Sequence, residues 1–196
     1  MADVGVRAAR GADADAVADI QIRAWRADLR EVVPAPVLAE LTGTEARAMW
    51  RRRWTAAATA PPSPRHKLLV AVASGVVVGF AAYAPADDPD QDSETTGEII
   101  TLRVDPDQAS AGHRSRLLAA AVDLLRDDGF GTLITWLFEA DEPQRAFFVS
   151  AGWAPDGARR TLTFPPPAAG SVPMVRLHTD ISRPETPTPN HPRVRR

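Results

Sequence analysis

Apolar and polar residues recur along the chain with two different periods, and these periods predict strands and helices. Short, almost continuously apolar runs such as "KLLVAVA" and "VVVGFAAYA" indicate buried strands, and Ser74-Gly75 between them predicts a hairpin with a short turn. Runs with an apolar residue at every third or fourth position indicate amphipathic helices. The longest such run covers about residues 37–58, where Trp50 and Trp54 fall on one face, and it predicts a single helix.

The predicted elements follow one another in the order β-α-α-β-β-β-α-β-α-β-β. The remaining strands are "VRAAR", "GEIITLRV", "TLITWLF", "RRTLTF" and "VPMVRLHTDI". Asp13 can cap the first helix, the third helix ends near Gly129, and the fourth begins at Asp141-Glu142-Pro143. This mixture of strands and helices predicts an α/β or α+β fold, with a sheet covered by helices.

Two segments lack bulky apolar residues and are therefore expected to lie outside the folded core. Residues 85–96 are acidic and contain proline, which indicates a mobile loop. Residues 182–196 are rich in proline and polar groups, which is typical of a disordered tail. We therefore expect one domain over residues 1–181, followed by this tail.

The composition excludes several classes of function. A net charge of −2 gives no general attraction to nucleic acid or to anionic membranes, and the absence of cysteine excludes disulfides, thiolate nucleophiles and cysteine-based metal sites. The four histidines are far apart in sequence, so no metal site is expected. No apolar run approaches the roughly 20 residues of a membrane helix. We expect a soluble, cytoplasmic protein with no nucleic-acid or membrane partner.

The segment "WRRRW", from Trp50 to Trp54, could present basic groups between aromatic rings to RNA. On a helix, however, positions i and i+4 lie on the same face. We therefore expect the two tryptophans to point inward and the arginines between them to form a solvated face.

The segment "VDPDQASAGHRSRLLAAAVDLLRDDGF" has the outline of a strand end, a loop of small residues and an amphipathic helix. Successive backbone N–H groups at a helix N-terminus can close on a pyrophosphate, because the helix dipole favours negative charge there. The alternative is a glycine-containing turn that merely caps a core helix.

The order of elements, together with "VVVGFAAYAP", "GEIITLRVDPDQASAGHRSRLL" and "ADEPQRAFFVSAGWAPDGARRTLTF", resembles the GCN5-related N-acetyltransferase (GNAT) family over about residues 6–181. The resemblance implies a mixed, mostly antiparallel central sheet flanked by helices. It also implies transfer of an acetyl group from acetyl-CoA, as cosubstrate, to a small-molecule or peptide amine acceptor. Pairing of family members makes a homodimer a further expectation.

The resemblance also implies a set of cofactor contacts. Backbone groups of Leu102, Arg103 and Val104 would bind the pantetheine arm. The backbone amides of the loop and first helical turn would hold the pyrophosphate: Ser110, Ala111, Gly112, His113, Arg114 and Ser115.

The loop departs from the family signature at two of three positions. Ala109 stands at the Gln/Arg position and Arg114 at the second glycine, whereas Gly112 keeps the first. The Arg114 side chain could fill the place of the diphosphate or swing out and bind a phosphate. For His113, an exposed loop histidine is the ordinary interpretation.

By resemblance Glu98 is the candidate general base, which direct attack on a thioester requires because the amine must be neutral; the alternative is a solvated carboxylate. Glu139 is a second, weaker candidate. The family's acid is a tyrosine, but this chain has Phe148 there and a single tyrosine, Tyr83, elsewhere. By resemblance Asp141 and Phe148 would contact the cofactor, whereas an N-cap and a core position are their alternative roles.

By the same resemblance Trp25, Asp28 and Leu29 would flank the acceptor pocket. Two hypotheses follow. The first is an N-acetyltransferase acting by direct transfer in a ternary complex, with Glu98 as base. The second is a non-catalytic domain of the same fold that binds an acyl-CoA or a protein partner.

Overall fold

A single seven-stranded sheet organises the computed structural model, which describes residues 4–166 and 170–182. The strand order is β1-β2-β3-β4-β5-β7-β6, and every neighbouring pair is antiparallel except β4 and β5. The strands are β1 (Val4–Ala8), β2 (Lys67–Ala73), β3 (Val76–Pro85), β4 (Thr96–Val104), β5 (Thr132–Phe138), β6 (Ala154–Phe164) and β7 (Gly170–Asp180). The mixed, mostly antiparallel sheet is the predicted fold class.

Five α-helices cover the two faces of this sheet. They are α1 (Ala14–Asp28), α2 (Ala35–Thr42), α3 (Thr44–Thr59), α4 (His113–Asp127) and α5 (Glu142–Ser150). Leu117, Ala121 and Leu125 of α4 pack in the largest core cluster with residues of β3, β4, β5 and β7. On the other face, Val17 and Ile20 of α1 pack on β2 and β3, as does Trp54 of α3.

The segment predicted as one helix over residues 37–58 forms two helices, α2 and α3. They meet at Gly43, whose backbone is extended, with φ −73° and ψ 179°. Glycine is a poor residue in a helix interior, which favours a break at this position. The predicted hairpin is confirmed: Ser74 and Gly75 both have positive φ, of 50° and 81°, and join β2 to β3 in a short turn.

The acidic loop between β3 and β4 differs from the expectation of a mobile segment, because two basic side chains hold it. Arg176 of β7 bonds Asp90 through two nitrogens, at 2.6 and 2.8 Å, and also contacts Asp88. Near the other end, Arg65 donates to the Glu94 carbonyl oxygen at 2.7 Å. The low apolar content of the loop predicted exposure correctly, but it could not reveal these ion pairs.

In residues 4–166 and 170–182, no helix has both the length and the apolar character needed to span a membrane, and no three acidic or histidine side chains gather as a metal site. The tail predicted as disordered lies outside the described residues from position 183 onward.

Candidate active site

The strands β4 and β5 are paired along only part of their length. Their parallel pairing covers Thr96–Glu98 of β4 and Thr132–Ile134 of β5. Immediately beyond it, the Thr135 hydroxyl donates to the Ile99 carbonyl oxygen at 2.8 Å, so a side chain replaces the next backbone contact. The strands therefore part after Glu98 and leave an opening beside the last residues of β4.

A bulge in β4 changes which side chains face this opening. Thr101 is opposite Ala82 and Ile99 is opposite Tyr83, so Ile100 is an extra residue with no partner position on β3. A bulge of this kind re-aims side chains and increases the local twist. Here Ile100 and the following Thr101 both line the same cavity, which regular alternation along a strand would forbid.

The loop after β4 presents a helix N-terminus. A 3-10 turn over Pro106–Ala111 leads to Gly112, which has a left-handed backbone with φ 71°, and α4 begins at His113. Among the described residues, no side chain caps α4, so the first backbone N–H groups of the helix remain available to a ligand. Four of the amides predicted to hold the pyrophosphate therefore lie at the N-terminus of α4: those of Gly112, His113, Arg114 and Ser115.

The Arg114 side chain contacts α5. It donates to Gln144 Oε1 at 2.7 Å, and its guanidinium carbon lies 4.8 Å from the centre of the Phe147 ring. Both contacts are with α5, so the side chain is directed along the helices. His113 differs from the expected exposed histidine, because it is buried and its Nδ1 has no hydrogen-bond partner within the described part of the chain.

Gln144 connects this loop to the strand. Its Nε2 lies 3.4 Å from the Leu102 carbonyl oxygen, one of the backbone groups predicted to bind pantetheine. Its backbone N–H donates to the Asp141 carboxylate at 3.1 Å, which gives Asp141 the N-cap role. Burial raises the pKa of Asp141 above its ordinary value. Nothing in the sequence singles out Gln144, because the contact between α5 and β4 joins residues that are far apart along the chain.

Glu98 lies at the point where the strands part and is half-buried. Burial raises the pKa of this carboxyl, the nearby Asp88 raises it further, and Arg160 opposes the shift. A carboxylate with a raised pKa is a stronger base, which suits the proton acceptor of an amine. The other acidic candidate, Glu139, is instead engaged by Arg159 in an ion pair.

Phe148 and Tyr83, the aromatic residues weighed for roles at the cofactor, make other contacts in the structure. Phe148 is only 1% exposed and packs on Trp153, with ring centres 5.0 Å apart, so it occupies the core position weighed in the sequence. The Tyr83 hydroxyl lies 3.5 Å from Asp128, just beyond the C-terminal end of α4, and burial and this carboxylate raise its pKa. The single tyrosine is therefore placed away from the N-terminus of α4.

A cavity of about 240 Å³ opens on the face of β4 covered by α1 and α3. Four of the five tryptophans of the chain stand in its wall: Trp25, Trp50, Trp54 and Trp136. The other lining side chains are Gln21, Ile100, Thr101, Arg103, Leu137, Phe138, Asp141 and Met174.

Hydrogen bonds hold the indole rings in place. The Trp54 Nε1 donates to Gln21 at 2.7 Å, the Trp50 Nε1 to the Leu41 carbonyl at 3.1 Å, and the Trp136 Nε1 to Asp88 at 2.6 Å. Trp25 meets Trp50 edge to face, with ring centres 5.2 Å apart. The walls are therefore rigid and aromatic. Trp50 and Trp54 point inward, as predicted, and the arginines between them are exposed.

Glu98 does not line this cavity itself, but two of its charged neighbours contact Trp136 in the cavity wall. Asp88 accepts from the indole, and the Arg160 guanidinium carbon lies 4.3 Å from the ring centre. Of the residues that resemblance placed near the acceptor, Trp25 lines the cavity, and Asp28 lies 3.9 Å from Arg103. Leu29 does not reach it, because it is buried in a separate core cluster with Val33, Val37 and Val172.

The cavity is also lined by residues that the sequence did not single out, among them Trp136, Gln21 and the side chain of Arg103. Trp136 and Arg103 lie in largely apolar strands, and Gln21 interrupts the apolar face of α1. A polar residue in such a position is the signal that could have drawn attention to them.

Residues 25–153 match the model of the acetyltransferase (GNAT) family. An uncharacterized N-acetyltransferase, YuaI of Bacillus subtilis, is 24% identical over 136 residues, which are 69% of this chain and 72% of that protein.

Two solved structures are similar in fold. The PaiA N-acetyltransferase of Thermoplasma acidophilum, in complex with coenzyme A, has a TM-score of 0.71 at 10% identity and covers 91% of this chain and 99% of its own. The yncA acetyltransferase of Salmonella typhimurium, with its cofactor acetyl-CoA, has a TM-score of 0.62 at 17% identity and covers 95% and 99%. The family match extends over more than half of the chain, from α1 to the end of α5, and this protein therefore belongs to the acetyltransferase (GNAT) family.

Proposed function

We propose that this protein is an N-acetyltransferase that passes the acetyl group of acetyl-CoA directly to an amine bound in the tryptophan-lined cavity. The observation that carries the proposal is the parting of β4 from β5 just after Glu98. A candidate base, an accessible strand end and an uncapped helix N-terminus lie along one strand and the loop that follows it. The cavity lies on one face of the same strand.

The residues of the donor side fit the cofactor. The first-turn amides of α4 and the left-handed Gly112 supply N–H groups for a pyrophosphate. Leu102 and Val104 lie in the last part of β4, where their backbone can bind the pantetheine arm. Arg114 can release Gln144 and donate to a phosphate oxygen. When bound, acetyl-CoA supplies the activated acetyl group; every other function falls to the protein.

The chemical step needs one proton acceptor. The acceptor nitrogen forms a bond to the acetyl carbon, the carbon–sulfur bond breaks, and the proton lost by the nitrogen passes to Glu98, directly or through water. The sulfur leaves as a thiolate, which is tolerable because a thiol has a pKa of about 8.5. Phe148 cannot donate a proton, and Tyr83 is bonded to Asp128, so we propose that no tyrosine acid takes part.

Two measurements test the proposal. Calorimetric titration with acetyl-CoA and CoA should give micromolar binding, and release of CoA should follow when a panel of primary amines is added. Binding without release of CoA by any amine would favour the non-catalytic acyl-CoA-binding domain instead. The absence of binding at millimolar acetyl-CoA would overturn both.

The homodimer and the cytoplasmic location stay predictions. A dimer could use β6, which is an edge strand of the sheet and is exposed along almost its whole length. Such an edge offers unpaired backbone groups to a second chain. Sedimentation analysis of the purified protein tests this expectation.

A further inference from the structure

We propose that Arg103 binds an anionic group of the acceptor, so that the acceptor is an amine whose flat, apolar body carries a carboxylate at its far end. The inference deepens the proposed function and rests on it, because it assigns the tryptophan-lined cavity to the acceptor. It names a substrate class and the residue that selects it.

The state of Arg103 is the first reason. The side chain lines the cavity and is 8% exposed, yet its Nε and Nη1 have no hydrogen-bond partner among the described residues. A buried polar group without a partner costs free energy, and a buried charge costs more. Burial lowers the pKa of Arg103, as expected for a cation in this position. A ligand oxygen would satisfy these donors.

The surrounding charges do not replace such a ligand. Asp28, the nearest carboxylate that forms an ion pair with Arg103, is 3.9 Å from Nη1, beyond hydrogen-bond distance. Asp141 also attracts Arg103, but its carboxylate is bonded to the backbone N–H of Gln144. Arg114 adds a second positive charge nearby. The guanidinium therefore keeps unpaired N–H donors, and a carboxylate is a group that can accept hydrogen bonds from them.

The cavity walls determine the body of the acceptor. The four indole rings are held by their own hydrogen bonds or by ring contacts, so they can enclose a planar apolar group without rearranging. An aromatic ring meeting such walls gains stacking or edge-to-face contacts. Aliphatic chains would fill the same volume with less specific contact.

The spacing along β4 separates the two ends of the acceptor. Glu98 and Arg103 are five positions apart on the strand, and one of these positions is the extra residue of the bulge, so the spacing corresponds to about four regular residues, or roughly 13 Å between the Cα atoms at about 3.3 Å per residue. The side chains and a bridging water shorten this gap, but they do not bring the carboxylate beside the amine. The arrangement favours a molecule with the two groups at opposite ends of a ring over an ordinary α-amino acid.

A matched pair of amines tests the assignment. 4-(Aminomethyl)benzoate has the amine, the ring and the carboxylate, whereas 4-methylbenzylamine replaces the carboxylate by a methyl group. Binding is measured by quenching of tryptophan fluorescence, in a Trp153→Phe background, since Trp153 is the one tryptophan that does not line the cavity. This measurement does not depend on turnover. We expect the benzoate to bind at least about tenfold more tightly, since an ionised hydrogen-bonded pair is a strong contact.

Two variants assign the preference to one side chain. Arg103→Met should abolish the difference between the two amines, and Arg103→Lys should retain part of it, because a lysine keeps the charge without the fork. Arg53→Met is the matched control: Arg53 is an exposed arginine 5.2 Å from the Trp50 ring centre, and its loss should leave the preference unchanged. If Arg103→Met does not fold, Arg103→Lys carries the test.

The outcomes separate this inference from the proposed function. Equal binding of both amines by the unmodified protein would overturn the inference, even if both are acetylated. A loss of acetyl-CoA affinity in Arg103→Met, with the amine preference intact, would also overturn it and assign Arg103 to the donor. Preference for the benzoate without acetylation of any amine would support the inference and contradict the transferase.

Discussion

Two arginines of this sheet, Arg176 and Arg103, are both buried but differ in their hydrogen-bond partners. Arg176 on β7 bonds Asp90 twice and also bonds Asp156, at 2.6 Å, with Asp88 close by. Arg103 on β4 has two nitrogens without a partner among the described residues. The hydrogen bonds that Arg176 donates to Asp90 and Asp156 raise its pKa, whereas burial lowers the pKa of Arg103.

The difference separates a structural charge from a functional one. Arg176 ties the acidic loop and β6 to the sheet, and its charge is neutralised within the fold. Arg103 is held at a cavity wall with its charge incompletely matched, which a protein retains when a ligand completes the site. Each of the following changes should therefore affect mainly stability or mainly activity.

The largest effect is expected from Arg176→Met. Removing the cation leaves the carboxylates of Asp88 and Asp156, whose side chains are 11% and 19% exposed, without their ion-pair partner, and breaking a buried ion pair in this way costs about 3 kcal/mol. Urea unfolding measures the change in the free energy of unfolding. Asp90→Asn is the milder control, because that side chain is 59% exposed. A loss below about 1 kcal/mol in Arg176→Met would contradict the structural role.

Glu98→Gln should reduce the rate and leave stability nearly unchanged. Loss of the general base is expected to lower kcat by about 100-fold, while acetyl-CoA binding stays the same. The matched control is Glu139→Gln, since Glu139 is the second acidic candidate and pairs with Arg159. Comparable losses in both variants would remove the assignment of Glu98.

Arg103→Met should change the free energy of unfolding by no more than about 1 kcal/mol, and an increase in stability is possible because an incompletely paired buried charge is removed. Urea unfolding beside Arg176→Met gives the direct contrast between the two arginines. A loss of about 3 kcal/mol here would show that Arg103 is as structural as Arg176.

The smallest effect concerns the pH at which Glu98 titrates. Its pKa is raised, so the rate should increase with pH through a value above 4.5, the ordinary value for this group, as the carboxylate forms. Arg160 lowers that pKa, so Arg160→Met should move the rise of kcat/KM to higher pH.

Arg159→Met is the control for this shift. Neighbouring residues of a strand point to opposite faces, and Arg159 pairs with Glu139, whereas Arg160 lies on Trp136. Both variants lose one positive charge from β6. An equal displacement of the two pH profiles would show a general charge effect instead of an interaction with Glu98.

Local patterns predicted the elements well. The strand Thr132–Phe138 has the predicted bounds, and the helix start at Asp141 is confirmed by the bond from the Gln144 N–H. The prediction failed at Gly43, where the apolar pattern continues but the helix does not. Periodicity reports which face is buried, and two consecutive helices that bury the same face produce nearly the same pattern.

The elements of the proposed donor side were largely predictable because they are formed by consecutive residues. The strand end, the loop and the start of α4 occupy about 20 positions of the sequence, and we propose that their backbone does most of the binding, so altered side chains obscure the pattern only in part. Arg114 was the exception, since its position depends on Gln144 and Phe147 of α5.

The sequence by itself determined the family and, except for the break at Gly43, the elements, since both depend on neighbouring residues. The tryptophan-lined cavity, which we propose for the acceptor, was decided only by the tertiary structure. Its walls come from α1, α3, β4 and β5, and the bulge at Ile100 aims Thr101 into it. Whether a buried arginine is satisfied is likewise a matter of distant partners: Asp88, Asp90 and Asp156 reach Arg176, and no comparable set reaches Arg103 among the described residues. Burial and pairing are properties of three-dimensional contact, and a one-dimensional pattern does not contain them.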